Sequence, residues 1–371
     1  MKIELLILSS IFCIICCNDK LNLKKQNIRK YHELIQGAEK HILCERYNEA
    51  EIFYSQSWQY RKESFGKDIY NRMVCNHALN NKEAIFSLAR QLVIQTGLSL
   101  DKFKSSYSYL LLYPNLWAEF KEWHPSGILE HMKNINLPLS DICRSIQESD
   151  QEYRKTEDRY TTLLSKNNEA DSLNIRRLIT MISNNGYPIE SEIGVVTATS
   201  KRKGFQDVLY ISILHAYQQA NKSWNIEGNK NLVDSLDILL LKAVHDGELH
   251  PDLYSMFQYG RQKHSGKMGL SNLFEPPVTR INENTYIRPL NYDILDSLNQ
   301  LRSSIYLSSI QFSYAKSVFM AKSNLNFDLL EQGCCITYHL NDPEKANFTA
   351  RTLGLIQANL NDESLFPDIC N

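Results

Sequence analysis

At 371 residues, with 43% hydrophobic and 22% charged side chains, the chain is long enough for two ordinary cores and too apolar to be disordered. A net charge of −1 and the lack of a long Lys/Arg run exclude a field that would recruit nucleic acid. Only 14 Gly and 10 Pro leave few turns, which favours helices over a many-stranded sheet.

The chain opens MKIELLILSSIFCIICCNDK, with a largely apolar run from Leu5 to Ile15. That is about half of the roughly 20 residues a bilayer-spanning helix needs. A basic Lys2, a short apolar core and a Lys-rich exit (Lys20, Lys24, Lys25) read as an export signal, with Glu4 the one acidic residue of the leader. Ile14-Ile15-Cys16-Cys17 resembles the lipobox of a bacterial lipoprotein signal, with Cys16 where Gly, Ala or Ser is usual. The resemblance implies removal of the signal (1–17 in all) at Cys17, which becomes the lipidated first residue. Acyl chains contribute about 0.8 kcal/mol per buried methylene, so several on one cysteine anchor it. The expected location is the cell envelope, lipid-anchored to the membrane, with a periplasmic or secreted chain as the alternative. Beyond the leader, Cys44, Cys75, Cys143, Cys334, Cys335 and Cys370 permit up to three disulfides. Spacing chooses none of the pairings, and no C-x-x-C pair suggests zinc.

Asn48-Glu49-Ala50 recurs as Lys82-Glu83-Ala84, a spacing of 34 residues. This is similar to the tetratricopeptide period, a helix–turn–helix unit in which a small Ala lets two helices approach. Gly37-Ala38, Tyr47, Ala50 and Tyr54 fit the small and aromatic positions of that unit; Glu45, and Leu79 in the second unit, stand where it has Gly. Ala84, Leu88, Leu92 and Ile94 band one side of a helix that Gly97 stops. Trp117, Phe120 and Trp123 form a core-filling stripe. Residues 30–125 are therefore expected to be tetratricopeptide-like hairpins, whose surface offers a site for a protein or peptide partner.

After Pro125 and the 134–138 stretch, a second helical block over 138–325 is expected. Ser172–Asn185 is amphipathic through Ile175, Leu178, Ile179 and Ile182, capped by Asp171 or Ser172 and ended by Gly186. Val208–Ala220 and Leu232–Val244 read as further helices, the second ended by Gly247, and 291–322 as one long or broken helix. A helical tail, 326–371, follows.

Asp150-Gln151-x-x-Arg154, Asp171-x-x-Asn174, Gly186-x-Pro188, Ile193-Gly194, His215 and Ala243-Val244-x-Asp246-Gly247-Glu248 together resemble a bacterial family built on a domain of unknown function. The likeness covers about 140–275 and rests on order and spacing. It implies an exported protein whose helical domain sits behind tetratricopeptide-like repeats, and it carries no reaction. At 257–270, FQYGRQKHSGKMGL departs from the family's Asp-Arg and Gln-x-Tyr-Gly groups.

Three candidate sites remain. His215, in an apolar helix, is a general-base candidate if a carboxylate orients it, for which Asp150 or Asp171 is the best candidate, and Asp150 and Arg154 complete the candidate catalytic set. The run from Gly260 to Met268 fails as a phosphate loop, since five residues separate its glycines and Met268 replaces Ser/Thr. Arg261, Lys263 and Lys267 on a Gly-flexed loop are still an anion-binding candidate. His245 and His250, with Gly247 between them, do not form the pair of a helical zinc site, and neither a metal nor a cofactor is expected. The expectation is a mainly all-α protein: tetratricopeptide-like hairpins, then a helical domain of unknown function. It would serve as a binding or scaffolding protein of the envelope. The alternative is a hydrolase-type enzyme around Asp150, Arg154 and His215.

Overall fold

A computed structural model of the chain describes residues 2–106, 108–152, 163–194, 209–219, 227–265, 278–281, 284–287, 295–325, 327–329, 335–338, 356–357 and 370. The architecture is mainly α-helical. Helix α1 (Lys2–Leu43) turns at Glu45 into α2 (Tyr47–Ser57), which packs back along it. The two approach closely at Gly37, where an added Cβ would lie 2.5 Å from the Phe53 ring. The second hairpin is α3 (Gly66–Ala78) and α4 (Lys82–Thr96), its start capped by Asn81, whose side chain accepts the Ala84 N–H at 3.2 Å.

Both hairpin turns need one residue in the left-handed region, and the chain places Glu45 (φ 55) and Asn80 (φ 54) there. These turns are 35 residues apart, one more than the Glu-Ala spacing in the sequence. Structural equivalents of Ala50 and Tyr54 are thus Ile85 and Ala89, and all four are fully buried. Small and large have traded places between the hairpins, which keeps the packed volume near constant. Ala84, the expected small contact, is only half-buried.

Gly97 (φ 67) ends α4, its N–H donating to the Val93 carbonyl at 2.8 Å. Helix α5 (Leu100–Ser106) and a 3₁₀ turn lead to α6 (Pro114–Asn134). Pro125 lies inside α6, so the expected break there is absent and the block ends at Asn134. Phe120 is fully buried among the rings of Phe86, Phe103, Trp117 and Trp123, as the stripe suggested.

Helices α7 (Leu137–Gln151), α8 (Leu163–Asn185), α9 (Glu190–Ile193), α10 (Tyr210–Gln219), α11 (Glu227–His245) and α12 (Pro251–Ser265) follow. Helix α8 starts a full two turns before Asp171 and Ser172, which are interior residues and not its cap. Gly186 (φ 79) and Gly247 (φ 72) end α8 and α11 where expected. Next come β1 (Val278–Ile281), β2 (Asn284–Ile287), α13 (Leu295–Ser304), α14 (Ile310–Lys322), β3 (Cys335–Tyr338) and β4 (Ile356–Gln357). The strands form one small sheet in the order β3-β1-β2-β4: β1 pairs antiparallel with β2 (Val278 opposite Ile287) and parallel with β3, and β2 pairs antiparallel with β4. In place of a helical tail, the described elements after residue 326 are strands.

The described residues form two apolar cores. One gathers residues of 31–120 with Phe327 and Leu329; the other gathers 139–257 with Ile305 and Leu307. The late segment therefore serves both. Cys44 is disulfide-bonded to Cys370, with Cα atoms 5.6 Å apart, while Cys75 and Cys143 are buried thiols. Among the described residues, no helix is long and apolar enough to cross a membrane.

Candidate functional site

On α7, Leu139, Cys143, Ile146 and Asp150 recur every three or four residues, so the carboxylate closes an otherwise apolar buried stripe. His215 of α10 meets it there: Nδ1 lies 3.0 Å from Oδ1 and 2.9 Å from Oδ2 of Asp150. A carboxylate accepts, so the Nδ1–H of His215 is the donor of this contact. The Asp150 side chain is 1% exposed and that of His215 18%, so the ring reaches from the core towards its surface. Helix α8 runs antiparallel to α7. Cys143 Sγ touches Met181 Sδ at 3.6 Å, and Asn174 Nδ2 donates to the Ile146 carbonyl at 3.3 Å. Continuing that register brings buried Asp171 level with Asp150. Two of the three residues proposed for acid–base work thus converge; Arg154 lies outside the described residues.

The candidate anion loop is not a loop where it is described. Helix α12 continues through Gly260 to Ser265, so Arg261 and Lys263 sit on a helix. Gly inside a helix costs only about 1 kcal/mol, which its neighbours offset. Lys267 lies outside the described residues. His245 Nδ1 lies 3.3 Å from the Tyr306 hydroxyl, while His250 Nδ1 accepts the Asp252 N–H at 3.1 Å. Among the described residues, no group of three His, Cys, Asp or Glu side chains could hold a metal.

A third cluster escaped sequence reasoning. Lys67 of α3 pairs with Asp252 of α12, and Lys316 of α14 pairs with Glu39 of α1 at 2.6 Å. The Tyr31 hydroxyl donates to Asp68 Oδ2 at 2.6 Å, and Asn71 exchanges hydrogen bonds with the Asp328 backbone at 2.7 and 2.8 Å. The Arg61 guanidinium stacks 3.7 Å from the Phe65 ring centre and donates to the Gly247 carbonyl. Glu39, Lys67, Asp68, Asp252 and Lys316 are each at most 8% exposed.

Such desolvation moves titrations. Burial pushes Asp68 up to about 7 and Asp328 up to about 6, and it pushes His250 down to about 3. Burial also opposes the Lys67 ammonium, but Asp252, Asp328 and Glu39 outweigh it and raise the pKa. For Asp252 burial is outweighed chiefly by Lys67, and the carboxyl is held well below its usual range. The paired charges come from α1, α3, α12 and α14, so they tie the hairpins to the later helices. The sequence did carry a trace: Glu39 and Lys316 sit on apolar helical faces, where a charge is otherwise unexplained.

Grooves open on the surface of the described residues. One, of about 440 Å³, lies along α4 against the ends of α6 and α9 and is lined by Lys62, Glu63, Phe86, Arg90, Ile94 and Ser191, among others. The Arg90 guanidinium sits 4.5 Å from the Trp123 ring centre at its edge. Another, of about 650 Å³, runs over α7 and α8 past Ile142, Arg176 and Arg177. No family model matches the chain, and no curated protein or solved structure is similar to it.

Proposed function

We propose that the chain is a binding protein of the bacterial cell envelope, tethered by a lipid on Cys17, that holds a peptide segment of a partner protein on its helical hairpins. The groove along α4 carries this reading. Its floor offers Phe86 and Ile94 to apolar side chains, and Lys62 and Arg90 are placed to meet a carboxylate. Arg90 is pre-ordered by stacking on Trp123, which lowers the entropy lost when it binds. The resemblance of the sequence over 30–125 to tetratricopeptide units suggests the same use. The Cys44–Cys370 disulfide supports an oxidising compartment.

The test uses a photo-crosslinking amino acid at Ser87 in the full chain, in cells of its host. The expected result is one discrete adduct that Arg90→Glu abolishes, together with an unprocessed precursor in globomycin or with Cys17→Ser. An adduct indifferent to Arg90→Glu overturns the groove, and normal processing under both treatments overturns the anchor.

A further inference from the structure

From Lys20 to His32 the sequence carries five cations, Lys20, Lys24, Lys25, Arg29 and Lys30, and no carboxylate. Asn22 to Gln26 are exposed on α1, as are Arg29 and Lys30, and Leu23 keeps 57% of its surface in water. Of residues 22–30 only Ile28 is buried. Carboxylates at this end of the molecule are engaged elsewhere: Glu33 pairs with Lys30 at 3.5 Å, Asp246 pairs with Lys242, and Glu248 accepts the Tyr187 N–H at 3.0 Å. Lys24, Lys25 and Arg29 have no ion-pair partner among the described residues. Burial lowers the His245 pKa at the end of α11, and the charges of Lys25 and Arg29 add to that shift against Asp246. Lys25 and Arg29 are also like charges four apart on one helix, an arrangement that destabilises it until an anion offsets the repulsion.

We infer that Leu23 to Lys30 is a contact surface for anionic phospholipid, which draws this part of α1 onto the bilayer that holds Cys17. The inference rests on the membrane tether proposed above and does not involve the groove along α4. Seven residues of helix separate Cys17 from Lys24, about 10 Å at roughly 1.5 Å per residue, and Lys25 is the next residue. That span is about one Debye length in physiological salt, so both ammonium groups feel a charged headgroup layer. Arg29 and Lys30 are more than a turn further along and meet the layer as α1 leans towards it. Leu23 lies about 140° around the helix from buried Ile28, so it is the apolar group free to enter the boundary between headgroups and acyl chains. A tether at Cys17 makes the bilayer the polyanion held within this distance.

The test reconstitutes the full chain in vesicles of phosphatidylcholine, with or without about one-third phosphatidylglycerol. A fluorescent amino acid replaces Gln26, and spin-labelled headgroups act as the quencher. Either tether, an acylated Cys17 or the uncleaved apolar leader, holds the chain at the bilayer, so the readout is independent of processing, which globomycin reports separately. Quenching is expected in the anionic vesicles, little in phosphatidylcholine alone, and little in about 1 M salt, where screening acts within about 3 Å. Each cation near an anionic surface is worth about fivefold, so Lys24→Gln with Lys25→Gln lowers the apposition constant about 30-fold. Lys40→Gln, exposed on the same helix but 23 residues from Cys17, leaves it unchanged. Equal quenching in both vesicles, no quenching in either, or indifference to the double substitution overturns the inference. An unprocessed chain that keeps the charge-dependent quenching overturns the lipid on Cys17 and leaves this contact standing.

Discussion

Replacing Lys67 by Met leaves the volume of the side chain nearly unchanged and removes its charge. Lys67 and Asp252 side chains are 9% and 11% exposed, so the remaining carboxylate is left where water cannot solvate it. Removing one partner of a buried pair costs about 3–5 kcal/mol, a large share of the 5–15 kcal/mol that holds a typical domain together. In the parent, the lowered Asp252 pKa contributes stability that is present above pH 3.8 and lost only as pH falls through its folded value, while the raised Lys67 pKa contributes below pH 10.5. Between those limits the pair is pH-silent. In Lys67→Met, Asp252 takes up a proton more readily than it does unfolded, so the penalty is full at about pH 8 and shrinks towards about pH 5. Urea unfolding followed by tryptophan fluorescence at the two pH values measures this. Adding Asp252→Asn should recover about 2–3 kcal/mol of the loss, since the pair then disappears together. A single variant within about 1 kcal/mol of the parent at pH 8, or strict additivity in the double variant, would refute the claim that these charges are buried against each other.

Asp68 should leave its own mark: with a pKa raised from 3.8 to about 7, its contribution is full below pH 3.8 and lost as pH rises through 7. The lowered His250, like His32, His77, His131 and His245, contributes the other way, gaining stability as pH rises through 6.5, so Asp68 is read from the difference between parent and variant. Between pH 6.5 and 8 the change in unfolding free energy of the parent should lie about 1 kcal/mol below that of Asp68→Asn, in which the other groups titrate alike; equal slopes would contradict the assignment. Cys44→Ser opens a bridge between residues 326 apart and should cost about 2–4 kcal/mol, checked by denaturation with and without reductant. An unchanged midpoint on reduction would show that the bridge does not form.

What was legible in the sequence was whatever a local rule dictates. Gly97, Gly186 and Gly247 end helices because a left-handed residue there costs glycine little, and that rule needs no knowledge of neighbours. The aromatic stripe about Phe120 was equally plain. Pro125 misled because its ring is tolerated where α6 packs with its bulky stripe, as tertiary contacts override a local breaker. The repeat came out one residue short because Glu49-Ala50 and Glu83-Ala84 match in letters while the turns at Glu45 and Asn80 set the register. The pairing of Asp150 with His215 spans 65 residues and was suggested by charge complementarity alone. The centre at Lys67 draws on α1, α3, α12 and α14, so no window of sequence contains it.

That centre also bears on where one folding unit ends. Read by hydrophobic pattern, the hairpins and the later helices are separate blocks, and each does own an apolar core. Read by charge, they are not separable: the hairpins supply Glu39 and Lys67, and their partners Lys316 and Asp252 stand on α14 and α12. Apolar surfaces tolerate a missing neighbour at a cost proportional to area, whereas a buried ion deprived of its partner must be rehydrated or neutralised. Phe327 and Leu329 add apolar contact at the same junction, and the Cys44–Cys370 bridge fixes the chain's far end beside the first turn. The groove along α4 is closed at one end by Ser191 of α9. The groove is thus lined from both sides of the junction, and the proposed binding surface persists only while the later helices stay docked.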